Sequence, residues 1–166
     1  MPVPLQIDIG FGDAVTPEPV TIQFPTILER VEEPVLRIYP PEVVIAEKLH
    51  AMVVLDIRNS RMKDFYDLWY LARTRRFELP DLTAAIAATF SRRRTPVPAE
   101  LPFALTTSFL EDVGKVQQWS GFVRRLQLAQ ENPSLAAIGK EIAEFAAPLF
   151  DSSTSMRLWQ PGGPWR

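Results

Sequence analysis

The sequence predicts an α+β fold in which a short sheet comes first and helices follow. Apolar residues alternate at period two before Pro40, and after it they recur at helical spacing. The composition agrees: 46% hydrophobic and 23% charged residues supply a packed core and exclude wholesale disorder.

The strands come from three segments. Leu5, Ile7, Ile9 and Phe11 alternate with Gln6 and Asp8, the pattern of a half-buried strand, and Gly10, Gly12 and Asp13 punctuate it. Thr21 to Phe24 reads as a second strand, followed by Pro25, and Val35 to Tyr39 as a third, stopped by Pro40-Pro41. So few strands are marginal without partners, so the expectation is a sheet that began earlier, with the chain opening inside a domain.

The helices follow. Pro41 suits a first helical turn and Glu42 its dipole, and Val44, Ile45, Leu49, Met52 and Leu55 make Pro41 to about Asp56 one amphipathic helix. Asn59 and Ser60 are cap-type residues opening a second, from about Arg61 to Arg73, with Phe65, Leu68, Trp69 and Ala72 as its buried stripe. Pro80-Asp81 caps a third, whose face is Leu82, Ile86 and Phe90. A fourth, around Thr107 to Leu128, carries Phe109, Val113, Val116, Phe122 and Leu126, with Gly114 and Gly121 weakening it. The last takes Asn132 as N-cap and Pro133 at its first position, then Leu135, Ile138, Ile142, Phe145 and Leu149. Thr95 to Pro102 reads as an extended linker, and Trp159 to Arg166 cannot be helical. The expected organisation is strands in 1–40, a region of about five helices in 41–150 and an irregular tail in 151–166.

Several function classes fall away. The net charge is −2, from 18 basic and 20 acidic side chains, which is no overall footprint for tight, non-specific nucleic-acid binding. There is no cysteine, so disulfides, thiolate nucleophiles and Cys-based zinc sites are excluded. The single histidine, His50, excludes a multi-histidine metal centre and reads as a surface or half-buried residue rather than a base. The first residues lack a secretory n-region and h-region, and no apolar run approaches the ~20 residues of a membrane span. A soluble cytoplasmic protein is expected.

The densest polar constellation runs from Lys48 through Arg58 and Arg61 to Lys63, Asp64 and Asp67. Asp64 and Asp67 are three apart and share a helix face, and a short loop between the two helices brings Lys48 towards them. A lysine point charge beside carboxylates suits phosphate handling. The same charges also read as Arg61–Asp64 and Lys63–Asp67 surface pairs, worth roughly a few tenths of a kcal/mol. Asp8, on the opposite strand face to its apolar neighbours, reads either as a metal or base position at a strand end or as a solvated residue. Arg92, Arg93 and Arg94, with Arg73, Arg75 and Arg76, read as RNA-phosphate contacts or as solvated helix ends. Trp159 and Trp165 read as a packing clasp or, if exposed, as a partner surface.

The segment Ile45 to Met52, continuing to Arg58 and then Ser60-Arg61-Met62-Lys63-Asp64-Phe65-Tyr66-Asp67-Leu68, resembles the AbiEii/AbiGii nucleotidyltransferase toxin family. The shared pattern is a lysine on a helix, an arginine after it and an (R/K)-D-x-x-D-L element. The strand Leu5 to Gly12 resembles the family's strand bearing the third acidic residue of the core, and the closing Pro161 to Arg166 resembles its C-terminus. The resemblance implies the remnant of a polymerase-β-like nucleotidyltransferase sheet followed by helices, using NTP and magnesium. It further implies a toxin of a two-component system with a cognate antitoxin and an acceptor such as tRNA. By position, Asp8 would help the metal site or activate the acceptor hydroxyl, and Lys48 would contact the triphosphate. Asp64 or Asp67 would complete the pocket, with Arg58, Arg61 and Lys63 on the substrate side.

One departure matters. The family opens with a Gly-Gly or Gly-Ser turn and an Asp-x-Asp pair that binds two metals, and these 166 residues contain no Asp-x-Asp. The expectation is therefore the C-terminal part of such an enzyme, inactive by itself. The alternatives are a non-catalytic remnant that binds nucleotide or protein, or a structural component of an antitoxin complex. An incomplete sheet would expose an edge that seeks a second copy.

Overall fold

The computed structural model describes residues 15–27, 29–126, 133–151 and 156–166. The expected strand Leu5 to Phe11, with Asp8, and the expected cap Asn132 lie outside them.

Two strands open the described chain. β1 (Val20–Gln23) pairs antiparallel with β2 (Val35–Ile38), Val20 opposite Ile38 and Gln23 opposite Val35. Neither face of this hairpin is covered by the helices: Val20, Phe24, Val31, Val35, Leu36 and Tyr39 are all exposed.

α1 (Pro41–Leu55) starts at Pro41 as expected but is not amphipathic. Its buried residues, Val43, Ile45, Ala46, Leu49, His50, Ala51 and Met52, run round most of the circumference, because α1 lies against both α3 and α2. Asp56, at φ 48°, ends it, and a 3-10 turn (Asp56–Arg58) follows. α2 (Met62–Thr74) buries the expected stripe of Phe65, Leu68, Trp69 and Ala72. Asn59 does not cap it from the N-cap position; its Oδ1 accepts from Arg61 N at 2.9 Å, one step earlier.

β3 (Phe77–Glu78) leads directly into α3 (Leu79–Arg92), which packs on α1. The single helix expected over Thr107 to Leu128 is two: α4 (Thr107–Leu110) and α5 (Val113–Leu126). The break has a local cause. Asp112 turns its Oδ1 onto Lys115 N at 3.0 Å, the geometry of an N-cap, so a new helix starts there. α6 (Leu135–Ala146) is capped by Ser134, whose Oγ accepts from Ala137 N at 3.1 Å, and Pro133 stands before the helix instead of in it.

The tail is ordered by aromatic packing. β4 (Leu158–Trp159) pairs antiparallel with β3, and Trp159 bridges Trp165. Trp159 Nε1 donates to Ala72 O at 2.7 Å and Trp165 Nε1 to Phe145 O at 2.9 Å, so the clasp ties the tail to the ends of α2 and α6. Gly163, at φ 76°, lets the chain pass over Trp159: a Cβ there would lie 2.6 Å from the indole. An irregular tail was expected because two-residue strands carry no period to read.

The core joins the six helices of the described residues. Phe65 of α2 stacks on Phe109 of α4 at 5.7 Å, and Phe77, Phe145, Trp159 and Trp165 form a second aromatic group at the base of α6.

Candidate functional site

The connection from α1 to α2 is held rigidly. Asn59 is fully buried, and its carbonyl accepts from Lys115 Nζ at 2.8 Å. Lys115 is itself 7% exposed and lies 4.8 Å over the Phe109 ring, so an ammonium from α5 pins the turn from behind. A buried cation holding a carbonyl has little freedom to move, and the first turn of α2 inherits that fixity.

This turn sets α2 beside the middle of α1. Lys48 Nζ lies 2.7 Å from Asp64 Oδ1 and 2.7 Å from Asp67 Oδ2. Arg61 Nε stands 2.9 Å from Asp64 Oδ2, and Lys63 Nζ 2.6 Å from Asp67 Oδ2. The Arg61 contact is a close ion pair without hydrogen-bond alignment, so Asp64 Oδ2 accepts no hydrogen bond although it is buried. The Lys48 side chain is 15% exposed and that of Asp64 5%. These contacts therefore form a half-buried network in which three cations surround two carboxylates.

Burial by itself would raise the Asp67 pKa. Hydrogen bonds from Lys48 and Lys63, with their charges, outweigh it and hold the carboxyl below its usual value. Asp67 is thus an anion at neutral pH, suited to electrostatic positioning rather than to carrying a proton. Lys48 has three donors, and two carboxylates take two of them.

The sequence-predicted residues divide. Lys48, Arg61, Lys63, Asp64 and Asp67 are brought together. Arg58 is exposed in the 3-10 turn and joins none of these contacts. Of the arginines grouped as an RNA-contact patch, Arg73 pairs with Glu141, Arg76 with Glu78 and Arg93 with Glu47. His50 is buried on the other side of α1, its Nε2 3.0 Å from Thr95 Oγ1 and its ring 4.9 Å from that of Phe90. Burial and the nearby Arg93 charge lower its pKa.

A cleft of about 410 Å³ opens beside the network. Ser60, Arg61, Lys63 and Asp64 form one wall, and Gln118, Phe122 and Arg125 of α5 the other. The α5 residues were missed from sequence. Their signal was there, since spacings of four and three put them on one helix face, but nothing in the sequence said which element α5 would face. Among the described residues no three His, Asp or Glu side chains gather as metal ligands. No helix among them is long and apolar enough to cross a membrane.

The family whose sequence model matches is described as nucleotidyl transferase AbiEii toxin, type IV TA system, and the match spans residues 1–141. Neither a curated protein nor a solved structure gives a match.

Proposed function

We propose, from the premise that this chain belongs to the AbiEii family of nucleotidyltransferase toxins of type IV toxin–antitoxin systems, that it supplies the nucleotide-handling helices of a transferase. In its full-length form that enzyme moves a nucleotide from an NTP to an acceptor hydroxyl such as that of tRNA. The oxygen of the acceptor attacks the α-phosphorus, the bond to the β-phosphate breaks, pyrophosphate leaves, and the hydroxyl proton passes to a base. Residues 1–40 would then belong to the transferase sheet and 41–150 to the helical part.

The observation that carries this reading is Lys48 Nζ at 2.7 Å from both Asp64 and Asp67. Asp64 and Asp67 hold the ammonium in one place, and its remaining N–H faces a phosphate oxygen of the NTP. Arg61 and Lys63, more than half exposed, offer further cations without a large reorganisation. The anionic Asp67 keeps Lys48 oriented and does not compete for the hydroxyl proton.

Magnesium use belongs to this proposal through the chemistry of the family. Asp64 and Asp67 do not fit as its ligands while Lys48, Arg61 and Lys63 neutralise them, since a divalent cation would meet three positive charges there. Asp8 remains the candidate from sequence. A cytoplasmic location, a cognate antitoxin and self-association through the β1–β2 hairpin complete the reading.

The test is transfer of label from α-labelled NTPs to bulk tRNA by the full-length protein, with Lys48→Ala in parallel. Transfer that disappears with Lys48→Ala supports the reading. NTP binding without transfer turns it into the binding-module alternative, and neither binding nor transfer leaves a structural component.

A further inference from the structure

The cleft beside the Lys48 network has a wall that the transferase reading does not use. On α5, Gln118, Phe122 and Arg125 share one face. Arg125 donates from Nε to Gly121 O at 3.3 Å, and among the described residues its guanidinium meets no carboxylate. Across the cleft, Arg61 and Lys63 are 58% and 73% exposed in their side chains, so each keeps donors turned to solvent.

Charge is concentrated here against the trend of the molecule. The lining residues carry three cations and one carboxylate, an excess of two positive charges in a chain whose net charge is −2. Lys48 and Asp67, which share the network, leave that excess unchanged. A concave, partly apolar surface focuses such a field and draws in anions. Met62 and Phe122 supply the apolar part of the lining.

Asp64, the one carboxylate of the lining, is already neutralised from within. Its side chain is 5% exposed, its Oδ1 takes Lys48 Nζ at 2.7 Å, and its Oδ2 lies 2.9 Å from Arg61 Nε. The cleft thus offers its cations to a phosphate.

We infer that the cleft between the first turn of α2 and α5 is a subsite for a phosphate group of the substrate. Arg125 and Gln118 bind it from α5, with Arg61 and Lys63 opposite. The inference rests on the transferase reading and deepens it by assigning α5 a binding role. The phosphate has two sources with the same chemistry, the polyphosphate of the NTP or the backbone of the RNA acceptor.

The experiment is a binding titration of the full chain at fixed low salt, using inorganic tripolyphosphate, each NTP and a single-stranded RNA dodecamer. Arg125→Ala, Gln118→Ala and Arg124→Ala are compared. Arg125 is exposed, so its loss leaves the fold intact, which a thermal melt checks. Arg124 lines a different cleft, with Trp119 and Pro133, and serves as the control of equal charge. The expected result is tripolyphosphate binding about tenfold weaker in Arg125→Ala, with a shallower salt dependence, and unchanged in Arg124→Ala. Gln118→Ala loses less, as a neutral donor should. Weakening of NTP binding alone assigns the subsite to the nucleotide, and weakening of RNA binding alone to the acceptor. Equal losses in Arg125→Ala and Arg124→Ala, no loss in either, or no binding of any probe overturns the inference. The two readings fail separately. Arg125-dependent binding without nucleotide transfer by the full-length protein sinks the transferase reading, and transfer that ignores Arg125 sinks only the subsite.

Discussion

Replacing Lys48 by methionine keeps the length and apolar stem of the side chain and removes its charge. In the folded chain this deletes the 2.7 Å contacts to Asp64 Oδ1 and Asp67 Oδ2. Asp64 is left with its side chain 5% exposed and only the unaligned Arg61 contact, while Asp67, at 22%, keeps Lys63 and more water. Removing one partner of a fully buried pair costs about 3–5 kcal/mol. Here Lys48 is 15% exposed and two cations remain, so the lower part of that range is discounted further, to about 2–3 kcal/mol. For a domain of this size a urea slope of about 2 kcal/mol/M turns that into a midpoint lower by roughly 1–1.5 M. Lys63→Met, whose ammonium is 73% exposed, should move the midpoint by less than about 0.3 M. The acid side gives a second readout. Asp67 has a lowered folded pKa, so its contribution is present above the unfolded carboxyl value and is lost as pH falls through the folded one. Lys48→Met should flatten that acid loss. Equal, small shifts for Lys48→Met and Lys63→Met would refute the argument, because they would make the network an ordinary solvated ion pair.

Three further outcomes are expected. His50 has a lowered folded pKa, so the unfolded chain takes up the proton first. Stability is complete above about pH 6.5 and falls as pH drops below it; His50→Gln should remove that step from urea midpoints measured between about pH 7.5 and 5.5. At Gly139 a Cβ would lie 2.3 Å from Leu110 Cδ2, so Gly139→Ala should lower stability by about 1–2 kcal/mol despite its gain in helix propensity. A Leu110→Ala background should abolish that penalty in a double-mutant cycle, and an additive result would show that the contact is not its cause. The β1–β2 hairpin should drive self-association, seen as a mass above that of one chain in light scattering at high concentration. Val35→Lys, at a position 65% exposed, should reduce it, and identical masses for both proteins would remove the hairpin as the interface.

The sequence alone determined that strands precede helices, where the longer helices lie, and most of the charged residues that meet. Period-two and helical spacing are local properties, so β1, β2, α1, α2, α3 and α6 were legible from their own residues. The Lys48, Asp64 and Asp67 meeting was legible for a related reason. Only a short turn separates their helices, and a short connection leaves few ways to place the second beside the first. Tertiary structure decided what depends on partners distant in sequence. α1 reads as amphipathic but is apolar nearly all round, because α3 and α2 both cover it. β3 and β4 pair where Trp159 packs on the end of α2, 87 residues away in the chain. The wall of the cleft needed the same information. Gln118 and Arg125 look like solvated charges and amides on any exposed helix, and they become a binding surface only when Lys115 reaches the carbonyl of Asn59 and sets α5 across from α2. A side chain carries its own chemistry, whereas what it faces is set by long-range packing, and local patterns do not encode that.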